Sequence, residues 1–195
     1  MLNERLKKHH IILASGSPRR QQFFKDLDLD FEIRLKEVQE IYPENLRGSE
    51  ITDYLSQLKA KPFNNELNDN DILITSDTIV WHKNKALGKP KNEEEAFKMI
   101  ESLSGTSHEV ITSICFTTSH STKTVNSITK VYFKELSDEE INFYIQNFQP
   151  LDKAGAYGIQ EWIGLIGVEK IEGSYFNVMG LPTHLIYKTL NTIVG

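Results

Sequence analysis

The stretch that decides the fold is residues 11–20, which read Ile-Ile-Leu-Ala-Ser-Gly-Ser-Pro-Arg-Arg. Its first four residues are apolar and predict a short buried strand. Ser17 suits the cap position of a helix and Pro18 its first turn, so we predict that a helix begins there and runs to about Leu27. A strand that passes directly into a helix is typical of an α/β protein.

The rest of the chain alternates in the same way. Further strands are predicted over residues 31–35, 72–81, 110–118, 125–136 and 165–171, and further helices over residues 49–61, 92–103, 137–148 and 182–193. Ser49, Asn92 and Ser137 are the expected helix caps, and Glu140 completes a capping box with Ser137. Because two adjacent strands are joined by a short polar turn, we predict a mixed sheet with helices on its faces, in a single domain over residues 1–195.

Composition excludes several classes of protein. The 195 residues carry 22 Lys+Arg and 27 Asp+Glu, a net charge of −5, which argues against duplex nucleic acid as the main partner. No apolar run approaches the roughly 20 residues that span a membrane, and the basic N-terminus precedes only four apolar residues, too few for a secretory signal. The single cysteine, Cys115, has apolar neighbours and is predicted to be a buried, inert thiol. We therefore expect a cytoplasmic protein that does not bind membranes.

The start of the first predicted helix is a candidate phosphate-binding site. A helix N-terminus presents unpaired backbone N–H groups and a partial positive charge. Ser15 and Ser17 add hydroxyl groups there, and Arg19 and Arg20 add guanidinium groups that match phosphate oxygens. The alternative is a capped helix whose first turn carries two solvated arginines.

Asp77 is the second candidate, because it interrupts the apolar run of residues 72–80. A charge in such a run is costly unless something pairs with it. Asp77 is either a metal ligand or general base, or an aspartate at a strand end or bulge that bonds to local backbone. Glu40 could join it around a hard cation such as Mg²⁺ or Mn²⁺.

Three lysines, Lys59, Lys89 and Lys153, occur near predicted turns of this acidic chain. Each alone is more often a solvated surface residue. Together they indicate a small anionic substrate. Walker A, metalloprotease, serine-hydrolase and paired-cysteine zinc motifs do not occur in the sequence.

Six stretches of the chain carry a family resemblance. They are residues 13–20 (LASGSPRR), 76–80 (SDTIV), 88–90 (GKP), 103–108 (LSGTSH), 152–160 (DKAGAYGIQ) and 173–182 (GSYFNVMGLP). In this order they resemble the motif series of the Maf family of nucleoside triphosphate pyrophosphatases. The resemblance implies two lobes around a cleft, a fold similar to that of inosine-triphosphate pyrophosphatases, and a homodimer.

The resemblance also implies roles for individual residues. Asp77 matches the family's catalytic aspartate. Substrate-discriminating positions fall on Arg19, Thr78 and Gln160, and Arg19 and Gln160 match the branch that acts on dTTP and UTP rather than on 7-methyl-GTP. Polar cleft positions fall on Glu40, Lys59, Lys89 and Lys153. The chain departs from the family pattern at Gln39, Ser76 and Glu161, where an acidic residue, alanine and glycine are usual.

The resemblance implies metal-assisted hydrolysis of dTTP and UTP to the monophosphate and pyrophosphate, with Mg²⁺ or Mn²⁺ as the cation. One alternative is a nucleotide-binding regulator of cell division with little turnover. Another is a single-stranded nucleic-acid binder, which the aromatic content allows and the acidic charge disfavours.

Overall fold

The computed structural model of the protein describes residues 2–195, so Met1 lies outside the described part of the chain. The strands are β1 (His10–Leu13), β2 (Glu32–Ile33), β3 (Asp71–His82), β4 (Lys85–Leu87), β5 (Ser107–Thr117), β6 (Thr122–Phe133) and β7 (Val168–Glu172). The α-helices are α1 (Leu2–Leu6), α2 (Pro18–Asp26), α3 (Ser49–Ala60), α4 (Glu93–Leu103), α5 (Asp138–Phe148), α6 (Trp162–Gly167), α7 (Tyr175–Val178) and α8 (Thr183–Ile193).

The strands form one sheet in the order β2-β1-β3-β5-β6-β7, and β4 pairs with β3. β1 is parallel to both of its neighbours, β2 and β3. β4 runs antiparallel to β3, and β7 runs antiparallel to β6. The sheet is therefore mixed and flanked by helices, which confirms the predicted fold class.

Local capping explains where three of the helices begin. Ser17, Asn92 and Ser137 cap α2, α4 and α5, and each side chain accepts a hydrogen bond from the backbone N–H three residues further on. Ser137 and Glu140 form the predicted capping box. Each cap satisfies a backbone donor that the helix itself leaves without a partner, so these boundaries could be predicted from the sequence.

Two element predictions are wrong. Ser49 is the first residue of α3 rather than its cap, because Gly48 occupies the cap position with a φ of 51°. Residues 165–167 belong to the end of α6 rather than to a strand. Their short apolar run fits either period, and the backbone hydrogen bond from the Leu165 N–H to the Glu161 carbonyl oxygen makes it helical. A Cβ atom on Gly164 would lie 1.8 Å from the carbonyl oxygen of Ile159.

The chain divides into two compact units, which we describe separately. The first unit contains the chain up to Asp77, residues 112–127 and the C-terminal residues 180–195, and the second contains Thr78–Ile111 and Ile128–Met179. Between Leu2 and Gly195 no helix has the length and apolar character that a membrane span requires.

Each unit has an apolar core. In the first unit it includes Ile12, Ala60, Phe63, Leu73 and Cys115. Cys115 is completely buried, as predicted. In the second unit the core lies between the sheet and helices α4 and α5, and it includes Ile100, Val131, Ile141, Tyr144 and Tyr157.

Candidate active site

The turn between β1 and α2 positions the first candidate residues. Ser17 has extended backbone angles and its hydroxyl oxygen accepts a long hydrogen bond from the Arg20 backbone N–H. The buried Ser15 hydroxyl oxygen accepts a hydrogen bond of 3.3 Å from the Ser17 backbone N–H. The predicted helix start therefore forms as expected, and its use as a phosphate-binding site stays a prediction.

Arg20 has a structural role that the sequence analysis did not anticipate. Its Nε donates to the carbonyl oxygen of Gly180 and its Nη1 to that of Ser76, both over 2.9 Å. Desolvation is the main cause that lowers the pKa of Arg20, and the nearby Asp77 carboxylate opposes this shift. Arg20 thus connects α2 to the strand that carries Asp77. Arg19, the residue before it, is only partly buried.

Asp77, Lys59 and Glu40 form one cluster in the first unit, which we call the Lys59 cluster. The Lys59 Nζ lies 2.7 Å from the Asp77 Oδ1 and 3.1 Å from the Glu40 Oε1. Asp77 is buried in the interior of β3, Lys59 comes from α3, and the more exposed Glu40 comes from the irregular segment between β2 and α3. The partner of Asp77 is therefore a lysine from another element.

The Lys59 cluster suits a divalent cation in the chemistry of its donors. Mg²⁺ prefers carboxylate oxygens and is commonly held by one or two carboxylates together with substrate phosphates and water. Glu40 and Asp77 supply two carboxylates, and both of them pair with Lys59. Residues 2–195 contain no group of three or more His, Cys, Asp or Glu side chains arranged to hold a metal ion. These residues fit a cation that is shared with a phosphate ligand better than one held by the protein alone.

A second cluster, the Lys153 cluster, lies in the second unit and consists of Asp152, Lys153 and Glu161. The Lys153 Nζ lies 2.6 Å from the Asp152 Oδ1 and 3.1 Å from the Glu161 Oε1. Lys153 is buried, whereas Asp152 is exposed. The fold here encloses a cation and surrounds it with carboxylates.

Gly155 connects the segment that carries Lys153 to the segment that carries Lys89. Its backbone N–H donates to the Gly88 carbonyl oxygen over 3.0 Å. It adopts a φ of +68°, and a Cβ atom there would lie 2.8 Å from the Val80 Cγ2. The position therefore requires glycine both for its backbone conformation and for its contact with β3. Lys89 itself is exposed.

Gln160 and Thr78, the other residues that the resemblance singled out, also lie in the second unit. Gln160 is exposed and belongs to a tight turn in which the Glu161 backbone N–H donates to the Gly158 carbonyl oxygen over 3.0 Å. Thr78 follows Asp77 on β3 and is partly exposed. Within the second unit, as far as the structure describes it, no hydrogen bond joins Gln160 or Lys89 to another predicted site residue.

Sequence reasoning missed Tyr144, a buried residue of α5 that belongs to none of the motifs quoted above. Its Oη accepts a hydrogen bond of 3.0 Å from the Gly158 backbone N–H and donates to the Glu161 Oε2. A tyrosine on the apolar face of a helix looks like any other core aromatic in a periodicity analysis, so no local pattern could have found this role.

His108, the last residue of the LSGTSH stretch, contributes to the packing of the second unit. It is buried, its Nε2 lies 2.7 Å from the Tyr157 Oη, and its ring packs edge-on against Phe133 and Tyr157. Desolvation, with a smaller contribution from His82, lowers the pKa of His108 to about 3.

The fold places the chain in a known structural class. It is similar to the solved Ham1 protein of Staphylococcus aureus, with a TM-score of 0.54 and 16% identity over 94% of this chain and 99% of that chain. At this identity the likeness concerns the fold alone. It agrees with the mixed α/β architecture described above.

The chain belongs to the family of Maf-like proteins, whose family model matches residues 10–193. It is 66% identical to a dTTP/UTP pyrophosphatase of Flavobacterium johnsoniae and 61% identical to one of Christiangramia forsetii, in both cases over the full length of both chains. It is 47% identical to a dTTP/UTP pyrophosphatase of Bacteroides fragilis over 96% of this chain and 98% of the relative. The family predicted from the motifs is thus confirmed.

Proposed function

We propose that this protein hydrolyses dTTP and UTP between the α and β phosphates, giving the nucleoside monophosphate and pyrophosphate. Relatives that are 47–66% identical over essentially their whole length carry the name dTTP/UTP pyrophosphatase, which supports the substrate class. The family match over residues 10–193 supports one Maf-like domain across residues 1–195.

The observation that carries the proposal is the buried Asp77 carboxylate with the Lys59 ammonium 2.7 Å away. Asp77 orients a water molecule and accepts one of its protons. The water oxygen bonds to the α-phosphorus while the bond from that phosphorus to the α–β bridging oxygen breaks. Pyrophosphate leaves, and the balance of one water and one triphosphate is one monophosphate, one pyrophosphate and one proton.

The remaining polar residues serve the phosphates. Ser15, Ser17 and Arg20 contribute hydroxyl and guanidinium donors at the start of α2, where the helix dipole favours an anion. Lys59, Lys89 and Lys153 supply ammonium groups. Donors aimed at the charge that develops in a transition state are typically worth about 10²–10³ in rate each.

Glu40 and Asp77 would hold a divalent cation, Mg²⁺ or Mn²⁺, together with the triphosphate. When bound, the cation would neutralise charge on phosphate oxygens. The two carboxylates of the Lys59 cluster support this assignment.

Arg19, Thr78 and Gln160 determine which base is accepted. The Gln160 amide offers both a donor and an acceptor, the two groups needed to pair with the edge of a uracil or thymine ring. Its exposure in a tight turn supports this role.

We also propose that the protein works as a homodimer in the cytoplasm. A single buried cysteine suits a reducing compartment. Light scattering of the purified protein tests the dimer.

The direct test is to incubate the protein with Mg²⁺ or Mn²⁺ and UTP, dTTP, CTP, 7-methyl-GTP or ITP, and to measure monophosphate and pyrophosphate separately. We expect pyrophosphate mainly from UTP and dTTP. In ¹⁸O-labelled water the label should enter the monophosphate, because attack is at the α-phosphorus. Nucleotide binding without pyrophosphate release would contradict the proposal and favour a regulator that binds nucleotide.

A further inference from the structure

One buried hydroxyl group forms hydrogen bonds with both ends of the turn that carries Gln160. The turn comprises Gly158–Glu161, and its ends are joined by the hydrogen bond from the Glu161 N–H to the Gly158 carbonyl oxygen. We call it the Gln160 turn. Both of its end residues also bond to Tyr144, since the Oη accepts from the Gly158 N–H and donates to the Glu161 carboxylate.

Each partner in this arrangement is itself fixed. Tyr144 of α5 is completely buried in the apolar core of the second unit, so packing fixes the position of its ring. Burial first, and the Glu161 carboxylate second, raise the pKa of Tyr144, so that its hydroxyl keeps its proton even in alkaline solution. The other Glu161 oxygen lies 3.1 Å from the Lys153 Nζ. The Gln160 turn is thereby linked to both a helix and a buried lysine.

The side chain of Gln160 is also confined. A Cβ atom on Gly158 would lie 3.0 Å from the Gln160 Nε2 and 2.9 Å from the Glu161 Cδ. The amide end of Gln160 therefore packs back over Gly158, beside the Glu161 carboxylate. The absence of a side chain at Gly158 is what leaves room for it.

The orientation of an amide matters for choosing between pyrimidines. Uracil and thymine present an acceptor at O4, whereas cytosine presents an amino donor at the same position. A freely rotating glutamine can offer either its oxygen or its nitrogen, so it can pair with both bases. Discrimination requires that the amide be held in one orientation.

We propose that Tyr144 and Glu161 are positioning residues that fix the Gln160 turn and thereby set the preference for uracil and thymine over cytosine. The proposal rests on the proposed function, because it assigns Gln160 to the base. The Tyr144 hydroxyl bonds to the two ends of the Gln160 turn, so its loss should change the selectivity and the KM more than the kcat.

The test compares Tyr144→Phe, which removes only the hydroxyl, with Tyr157→Phe as a matched control. Tyr157 is a second buried tyrosine of the same unit, and its Oη pairs with His108 rather than with the Gln160 turn. We expect Tyr144→Phe to lower the UTP-to-CTP ratio of kcat/KM roughly tenfold, the value of one hydrogen bond to a charged group. Most of the change should be a higher KM for UTP. Tyr157→Phe should leave the ratio unchanged, although both variants lose a buried hydrogen bond and thus stability.

A second variant, Glu161→Ala, keeps the proposal testable if Tyr144→Phe does not fold. It removes the carboxylate from a partly exposed position and should lower the same ratio, whereas Glu161→Gln, which still accepts from Tyr144, should restore part of it. A UTP-to-CTP ratio unchanged by the folded variants would overturn the proposal, and so would an equal loss in Tyr157→Phe.

Calorimetric binding of UTP and CTP separates this inference from the proposed function. A native protein that binds UTP in preference to CTP without hydrolysing it would contradict the pyrophosphatase assignment, and the same variants would then be compared by their affinity ratio. A native protein with equal affinity for UTP and CTP would overturn the positioning role, because there would be no selectivity to maintain.

Discussion

Each unit holds a lysine between two carboxylates, but the two units bury opposite charges. The most protected side chain of the Lys59 cluster is the carboxylate of Asp77, 7% exposed, and Lys59 beside it is 20% exposed. The most protected side chain of the Lys153 cluster is the ammonium of Lys153, 9% exposed, between carboxylates that are 20% and 60% exposed. The first cluster is built around an anion and the second around a cation.

This difference in the buried charge indicates that the two clusters have different chemical roles. A buried charge is costly, so a fold retains one only where partners offset the cost. A protected carboxylate suits a group that handles a proton of water, and a protected ammonium suits a group that meets phosphate oxygens. The outer members of each cluster, Glu40 and Asp152, are the ones that solvent reaches.

The largest expected effect is on turnover, and it distinguishes Asp77 of the Lys59 cluster from Asp152 of the Lys153 cluster. Asp77→Asn keeps the size of the side chain and removes its ability to accept a proton, so we expect turnover of UTP to fall by about 10²–10⁴. Asp152→Asn, the matched change in the exposed carboxylate, should stay within about threefold of the native rate. Circular dichroism checks that both variants fold. An Asp77→Asn protein that retains a tenth of the native rate would remove Asp77 from its role.

The next effect concerns stability. Lys59→Met removes the ammonium that pairs with the buried Asp77 carboxylate and should lower the free energy of unfolding by about 3–5 kcal/mol. Lys153→Met leaves carboxylates that solvent can reach, so the expected loss is only about 1 kcal/mol. Urea denaturation measures both.

A double variant sharpens this second comparison. Adding Asp77→Asn to Lys59→Met removes the unpaired charge and should recover part of the lost stability. Equal losses in the two lysine variants, or no recovery in the double variant, would show that the clusters do not differ in the way their burial suggests.

Acid should weaken the second unit through His108. The pKa of His108 is about 3 in the folded chain and 6.5 without the fold's influence, so the unfolded state binds the proton more readily. The free energy of unfolding is therefore unaffected by His108 above pH 6.5, where its ring is neutral in both states. It decreases as the pH falls from 6.5 towards 3, by up to about 1.4 kcal/mol per pH unit.

His108→Gln should flatten this acid dependence, as followed by thermal unfolding between pH 7 and pH 4. His184→Gln, a change in an exposed histidine of α8, is the control and should leave the slope as it is. A native protein with the same stability at pH 4.5 and pH 7 would exclude His108 as an acid-sensitive group.

The smallest expected effect is on stability, and it comes from a comparison of two buried hydroxyl groups. The Ser76 Oγ finds no hydrogen-bond partner in residues 2–195, whereas the Tyr144 Oη has two. Ser76→Ala removes a desolvated polar atom and should raise the free energy of unfolding by up to about 1 kcal/mol. Tyr144→Phe should lower it by about 1–3 kcal/mol, since it leaves the Gly158 N–H and the Glu161 carboxylate without their partner. Denaturant titrations of the two variants should therefore shift in opposite directions.

Local chemistry explains which parts of this fold are predictable from sequence. The caps Ser17, Asn92 and Ser137 satisfy backbone groups within three residues of themselves, so their sequence neighbourhood contains the whole interaction. The mixed sheet followed from the alternation of elements and from adjacent strands joined by a short turn. In contrast, the apolar residues 165–167 are compatible with a strand, and the backbone hydrogen bonds that place them at the end of α6 leave no mark in the pattern of side chains.

The candidate site divides in the same way. Asp77 stood out because a charge inside an apolar strand needs a partner, but nothing near it identified Lys59, which lies 18 residues earlier in a helix. A single lysine in a helix is most often solvated, so this pairing emerges only when the chain is folded. The same holds for Tyr144, whose hydroxyl meets a turn that follows 14 residues later.

The burial of Cys115 has a practical consequence. Because its sulfur lies in the interior of the first unit, between β1 and β3 residues and the start of the segment after α3, a thiol reagent can reach it only when that unit opens. The rate at which Cys115 is modified under native conditions therefore reports how often the first unit opens. Any cysteine introduced on the surface would react long before this one does, so a label can be placed at a chosen site without altering the natural thiol.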